Sequence, residues 1–270
     1  MNKATLLSKN SPLLRTRSLE GTFPINEAVE LFNALGTLDE RNDRRRKLFK
    51  IFAIIGVVLT AFLLIADLAP IALLTGAAAI VLAVLVIRLG RIDIPNDVRL
   101  FVLPWLRILA ADMEADGSVT LKLDLHEAHD KSQRIADQIA NGKQWQQYHH
   151  PWFSGRATLA DGARLHWDAV THIREHTTHK SKGRTKRKLK QSIKYDVSLG
   201  LPADSFALGQ LASRGIEKVR VKPGEKRNVV RVSYVAAAAS LTPANVDDLI
   251  ATVASAYRQA APKPAAEQPT

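Results

Sequence analysis

The sequence predicts an α+β membrane protein: a two-helix transmembrane hairpin followed by a cytosolic domain of antiparallel β-hairpins with flanking helices. Three features carry that prediction. The block 51–87 holds a single charged residue, Asp67. From Ser118 onward, apolar and polar residues alternate with the period of half-buried strands. Around these regions lie segments whose apolar residues recur at helical spacing.

The apolar block is too long for one span. As a straight helix it would measure roughly 55 Å, whereas the hydrocarbon core is about 30 Å thick and about 20 residues cross it. The break is expected at Asp67-Leu68-Ala69-Pro70. A carboxylate is costly at mid-bilayer, and proline suits a turn or the first turn of a new helix. The spans are therefore read as residues 48–66 and 71–89. Neither has a polar face, which argues against a helical pair buried in a soluble domain. Gly56, Gly76 and the Ala77-Ala78-Ala79 run permit close packing, of the two spans on each other or in a homo-oligomer.

Orientation follows from the flanks. Arg41, Arg44, Arg45, Arg46, Lys47 and Lys50 precede or open the first span, and Arg88 and Arg91 close the second, while the turn has no Lys or Arg. The positive-inside rule places both termini in the cytosol. The Ala-rich, Cys-free composition suggests a bacterial inner membrane. The chain then divides into a cytosolic N-terminal segment (1–47), the hairpin (48–89), the cytosolic domain (93–260) and a mobile tail (261–270).

The chain has 270 residues, 46% hydrophobic and 24% charged, with a net charge of +12. That excess favours anionic surroundings, either acidic lipid or nucleic acid. The absence of cysteine excludes disulfides, thiolate catalysis and Cys-ligated zinc. Residues 1–40 contain no apolar core of signal-peptide length.

Outside the membrane block, Pro24 is expected to open a short helix with Ile25, Val29, Phe32 and Leu35 on one face. It either lies on the membrane or docks on the later domain; residues 1–20 show no clear period. A helix over 96–113, capped by Asn96 or Asp97, carries Val98, Phe101, Val102, Trp105, Leu106 and Leu109, and Pro104 predicts a kink or break in it. With Trp105 on its apolar face it is either interfacial or packed on the sheet. Strands are expected over Val119 to Leu125 and from Gly155 to an Asp161-Gly162 turn. A long strand follows, with Leu165, Trp167, Ala169, Thr171 and Ile173 on one face. Its partner carries Leu189, Ile193, Tyr195, Val197 and Leu199. Another hairpin turns at Pro223-Gly224, and helices are expected over 204–214 and 243–259, the latter capped by Thr242.

The tip between the two long strands is the most unusual feature. Lys180, Lys182, Arg184, Lys186, Arg187, Lys188 and Lys190 fall within eleven residues without an acid. Such a tip can clamp an anionic bilayer surface, neutralise nucleic-acid phosphates, or be a solvated hairpin end. No aromatic residue interleaves with these charges in the sequence, which weakens the nucleic-acid reading. The histidines give no metal site. On a strand, His172 and His176 stand about 13 Å apart, and His179 and the His149-His150 pair add no diagnostic spacing. For catalysis, His166, Asp168 and Glu175 lack an accompanying nucleophile elbow, phosphate loop or carboxylate pair, and Trp152-Phe153-Ser154-Gly155 lacks the glycine pattern of a nucleophilic serine. No cofactor is expected. The chain is expected to be a membrane-tethered, non-enzymatic interaction protein that contacts the bilayer, its anionic headgroups and a protein partner. The alternatives are a membrane-anchored nucleic-acid-binding protein and an enzyme whose site is assembled from dispersed residues.

Overall fold

The computed structural model describes residues 16–90, 96–140, 143–179, 185–209, 218–238 and 243–263. The chain enters as a strand, β1 (Ser18–Pro24), which pairs antiparallel with β2 (Ser118–Asp124) from Ser18↔Asp124 to Pro24↔Ser118. Pro24 ends the strand and caps the next helix with extended backbone. The Ile25 amide then donates to the Gly117 carbonyl (2.9 Å), and the Asn26 side chain to that of Ala115 (3.2 Å).

Helix α1 is continuous over Ile25–Ile65, 41 residues and roughly 60 Å. The helix expected to be short thus runs without interruption through residue 47, because no proline or glycine separates Thr37 from Lys50. Only its first third is buried, through Ile25, Ala28, Leu31, Phe32, Leu35, Gly36 and Asp39. This segment docks on the sheet and shares one core with the residues beyond the hairpin. Asp67, in left-handed backbone (φ 58°), turns the chain into α2 (Ala69–Gly90), where the sequence places the break.

The last part of α1 and all of α2 pack on each other. A Cβ on Gly56 would lie 3.0 Å from the Ala79 Cβ, so the glycine permits the close approach, and the Thr60 and Thr75 hydroxyls meet at 3.0 Å. Large apolar side chains on both helices face outward, among them Val57, Ile65 and Leu73 at 62%, 85% and 75% exposure. Both helices are long and apolar enough to cross a membrane, and little of either apolar stretch is buried.

After residue 95 a π-helical turn (Val98–Val102) leads into α3 (Leu103–Asp112). Pro104 accounts for the turn. It has no amide to give the Leu100 carbonyl, and the Leu103 amide bonds instead to Val98, five residues back. The expected break is therefore a change of hydrogen-bond register within one rod. Val98, Phe101, Val102, Trp105, Leu106 and Leu109 are all buried on the sheet. Trp105 meets Trp167 edge-on at 5.4 Å, so it is a core residue and not an interfacial one.

The remaining strands are β3 (Arg134–Ala140), β4 (Lys143–Thr158), β5 (Arg164–His179), β6 (Thr185–Pro202), β7 (Phe206–Leu208), β8 (Lys218–Lys222), β9 (Arg227–Ala238) and β10 (Ala260–Pro262). The main sheet is antiparallel, in the order β1-β2-β4-β5-β6-β9-β8, with β3 also paired to β4; β7 and β10 form a separate pair. Leu165, Trp167, Ala169, Thr171 and Ile173 are buried together on the inner face, as their alternation predicts. Ile193, Tyr195, Val197 and Leu199 join them. Gly162 turns β4 into β5 with φ +78°. At Gly155 a Cβ would stand 2.4 Å from the Trp167 ring and 2.7 Å from the Thr120 carbonyl.

Three expectations change. Residues 204–214 do not begin as a helix: Asp204 caps a turn at Ser205, and β7 follows because β10 offers it a partner edge. Ala261 and Pro262, expected in the mobile tail, form that edge together with Ala260. The C-terminal helix, α4 (Val246–Tyr257), is capped by the Asn245 side chain on the Asp247 amide (3.1 Å); Thr242 lies outside the described residues. Strand β3 and the first half of β4 had no sequence signal, because glutamines and other polar residues occupy both faces. The fold is one layer of helices, comprising the first third of α1, α3 and α4, on the inner face of the sheet. The outer face carries no second layer among the described residues.

Candidate anion-binding face on a β-ribbon

Strands β4, β5 and β6 outrun the helices that cover them. β2 pairs with β4 from Val119↔Ala157 to Leu123↔Phe153, and β4 continues ten residues farther toward Lys143, roughly 33 Å. Lys143↔Thr178 and His179↔Thr185 carry β5 and β6 to the same limit. The direction of this ribbon is fixed by contacts. Helix α1 starts beside Gly117 and passes Arg99 at Gly36. Asn96 and Asp97 line a cleft with Asp124 and Leu125. Helix α1 thus runs from the Ser118 end of β2 to its Asp124 end. The ribbon and the helical hairpin leave the domain at the same end.

Strand alternation sorts the basic tip between two faces. Lys186, Lys188 and Lys190 lie on the outer face of β6, opposite Thr178, His176 and Arg174 of β5. Arg187 lies on the inner face. There its guanidinium grips the Glu175 carboxylate with two nitrogens, Nε on Oε1 and Nη2 on Oε2 at 2.6 Å. His129 adds a bond to Oε2 at 2.6 Å. The Glu175 side chain is 5% exposed and that of Arg187 52%. Hydrogen bonds from Arg187 first, opposed by burial, hold the Glu175 carboxyl below the usual carboxylate range. The Arg187 charge is thereby matched by a neighbouring carboxylate. Lys180, Lys182 and Arg184 lie outside the described residues.

The distal outer face holds groups that the tip motif missed. Arg174 stands directly opposite Lys190. Trp145 stacks on His176 (4.1 Å, 18°) and is 43% exposed. His149 and His172 face each other across β4 and β5 with their Nδ1 atoms 3.4 Å apart. Burial, then the charges of His149, Lys194 and Arg174, push the His172 imidazole below its ordinary value. Among the described residues, Asp196 is the last outer-face carboxylate toward the tip, and it holds Lys194 at 2.6 Å. Beyond it every side chain on this face that bears a full charge, among the described residues, is a cation. Folding the two long strands about the tip would have put Arg174 beside Lys190 from sequence; Trp145 needed a strand that carried no alternation.

The cationic flank residues sit elsewhere. Arg44, Arg45, Arg46 and Lys47 lie on α1 between its docked third and its apolar stretch, and Arg88 lies in the last turn of α2. Arg91 is outside the described residues. His166 and Asp168 meet at 3.0 Å on the outer face, each side chain 41% exposed, away from the inner-face cleft beside Asp124.

The cleft beside Asn96 and Asp97, of about 480 Å3, opens on the inner face. Asp124 bridges His126 (Oδ1 to Nδ1, 2.5 Å) and His150 (Oδ2 to Nε2, 3.3 Å). His150 is buried, and its Nε2 makes no well-directed hydrogen bond. Burial lowers the basicity of His150 against the pull of Asp124. Burial raises the nearby Asp97 carboxyl, opposed by a bond from the Ala244 amide. Compared with protein-family models, curated proteins and solved structures, the chain matches none.

Proposed function

We propose that this chain is a membrane-tethered, non-enzymatic interaction protein of the cell inner membrane. Its two apolar helices form a two-span hairpin with both termini in the cytosol. The ribbon rests its basic outer face on the anionic leaflet and leaves the rest of the sheet domain to a protein partner. One observation carries the reading: the ribbon and the hairpin leave the domain at the same end, and the ribbon's distal outer face holds cations without a carboxylate among the described residues. Reach supports it. From Asp39, where α1 leaves the core, to Leu48 is about 14 Å of helix, and the ribbon extends roughly 33 Å past β2. It is long enough to meet the headgroups. Each cation held there contributes about 1 kcal/mol.

The absence of cysteine allows a direct test. Gln138 is exposed and pairs with Trp145 on the ribbon. The full chain with Gln138→Cys, carrying a polarity-sensitive dye, is placed in nanodiscs of neutral or anionic lipid. The dye should shift to the blue and be quenched by headgroup-labelled lipid in anionic discs at low salt, and revert at high salt. Identical spectra in both discs would sink the reading.

Trp145 favours a second reading. An exposed ring beside lysines can stack a base, so the face is also suited to single-stranded nucleic acid. Retention of a labelled oligonucleotide by the full chain in neutral discs, released by salt with a steep slope, would favour it.

A further inference from the structure

The outer face is more than a set of lysines. Where β5 and β6 pass Gln147, it forms a concavity of about 470 Å3 that crosses the sheet from β3 to β9. Its middle is lined by His172 and Arg174 from β5 and by Lys190, Ser192 and Lys194 from β6. Its two ends are apolar, with Ile135 at one (64% exposed) and Val235 at the other (41% exposed).

The register there is unfavourable without a ligand. Arg174 and Lys190 are direct cross-strand partners, and like charges in that position destabilise a sheet. Neither has an ion-pair partner among the described residues. An anion seated between them removes the repulsion. The donors differ in kind. Arg174 presents a planar fork that matches two phosphate oxygens. Lys190 supplies a point charge, and Ser192 a hydroxyl on the strand beside it. The His172 ring lies opposite Ser192 and carries one N–H as a neutral imidazole. This set is richer than a singly charged phosphodiester needs. The apolar ends fit the non-polar remainder of a lipid and have no counterpart in a free phosphate ion.

We propose that this groove, with Arg174 and Lys190 at its centre, is a specific site for a lipid whose headgroup is a phosphomonoester. The proposal deepens the membrane-surface reading above and rests on it. General anionic attraction brings the ribbon to the leaflet; the groove then selects a terminal, doubly ionisable phosphate over the diesters around it.

The test uses the full chain in neutral nanodiscs. Calorimetric titrations compare dioctanoyl phosphatidic acid, dioctanoyl phosphatidylglycerol and inorganic phosphate. The expected result is at least about 10-fold tighter binding of phosphatidic acid than of phosphatidylglycerol. Arg174→Gln should abolish that preference, and Lys222→Gln, on β8 away from the ribbon, should leave it in place. Arg174 is exposed and unpaired among the described residues, so its variant should fold, and an unchanged far-UV spectrum would establish this. Equal binding of both lipids would overturn the groove and leave the general surface contact standing. Inorganic phosphate binding as tightly as phosphatidic acid would overturn the lipid assignment. If the folded chain binds neither lipid and the Gln138 dye also fails to respond, the surface reading falls with it. If the dye responds and the lipids do not bind, only the groove falls.

Discussion

Arg187 and Lys188 are adjacent in sequence and should behave oppositely when neutralised. Lys188 faces outward opposite His176, and Arg187 faces inward on Glu175. Lys188→Gln removes one cation from the outer face; on the proposed anionic leaflet it is worth about 1 kcal/mol, or about a 5-fold smaller equilibrium constant for ribbon engagement. Its effect on stability should be negligible. Arg187→Gln removes a charge already matched, so engagement should change less than about 2-fold. It strands a carboxylate that is 5% exposed. Breaking a buried pair in that way costs about 3–5 kcal/mol. Arg187 is half in solvent, and His129 still holds Oε2, so about 1–3 kcal/mol is expected. The dye at position 138 reads engagement, and amide hydrogen exchange along β5 and β6 reads stability. Glu175→Gln combined with Arg187→Gln should recover most of the lost protection, as a coupled pair must. Equal loss of engagement in the two single variants, with hydrogen exchange unchanged in both, would refute the division of the tip into two faces.

Other perturbations test other parts of the structure. The Glu175 carboxyl is depressed in the folded chain, so its contribution is complete above the ordinary glutamate value of about 4.3 and is lost as pH falls through the folded value. Ribbon protection should therefore drop on acidification below about pH 4, more steeply in the wild type than in the Glu175→Gln/Arg187→Gln chain. Gly56→Leu drives a side chain into Ala79 and should weaken the helical hairpin by about 1–3 kcal/mol, read as earlier thermal loss of helix in detergent. Gly155→Ala places a methyl 2.4 Å from the Trp167 ring and should cost at least about 1–3 kcal/mol, with altered tryptophan emission. For topology, Asp67→Cys should react with an impermeant maleimide from outside intact spheroplasts, and Ser205→Cys only after lysis.

The sequence made the core faces readable because period and burial coincide there. Leu165 to Ile173 alternate because one side meets α3 and the other meets no layer, and Val98 to Leu109 recur at helical spacing for the complementary reason. Where an element buries little, the signal fails. Gln144, Gln146 and Gln147 sit on both faces of β4 beyond the helices, so nothing in their pattern says strand. Phe206–Leu208 looked helical because its edge partner, Ala260–Pro262, lies far along the chain. The site divides in the same way. The lysines of the tip were visible as a run, but a run has no faces. Alternation along β6 sets Lys188 and Lys190 on the face opposite Leu189, but only the pairing of β5 with β6 brings Arg174 to Lys190 and Arg187 to Glu175, and only that of β4 with β5 sets Trp145 on His176.

The ribbon's shape is itself an argument that it makes contact with something. Past the helices, β4, β5 and β6 gain ladder hydrogen bonds but little apolar burial, and ordering each residue costs about 1–2 kcal/mol of backbone entropy. The ribbon's four strands bury few apolar side chains beyond the helices, Tyr148 and Ile173 among them. The ribbon also keeps Arg174 against Lys190, a repulsive pair, and leaves Ile135 64% exposed beside them. None of these features stabilises the domain, which has its core under α1, α3 and α4. They are the features expected of a surface whose free energy is recovered on contact. The contact proposed for the outer face would be anionic, to settle the cations, and partly apolar, to cover Ile135 and Trp145. A bilayer headgroup layer offers both at the end of the domain from which the apolar helices depart.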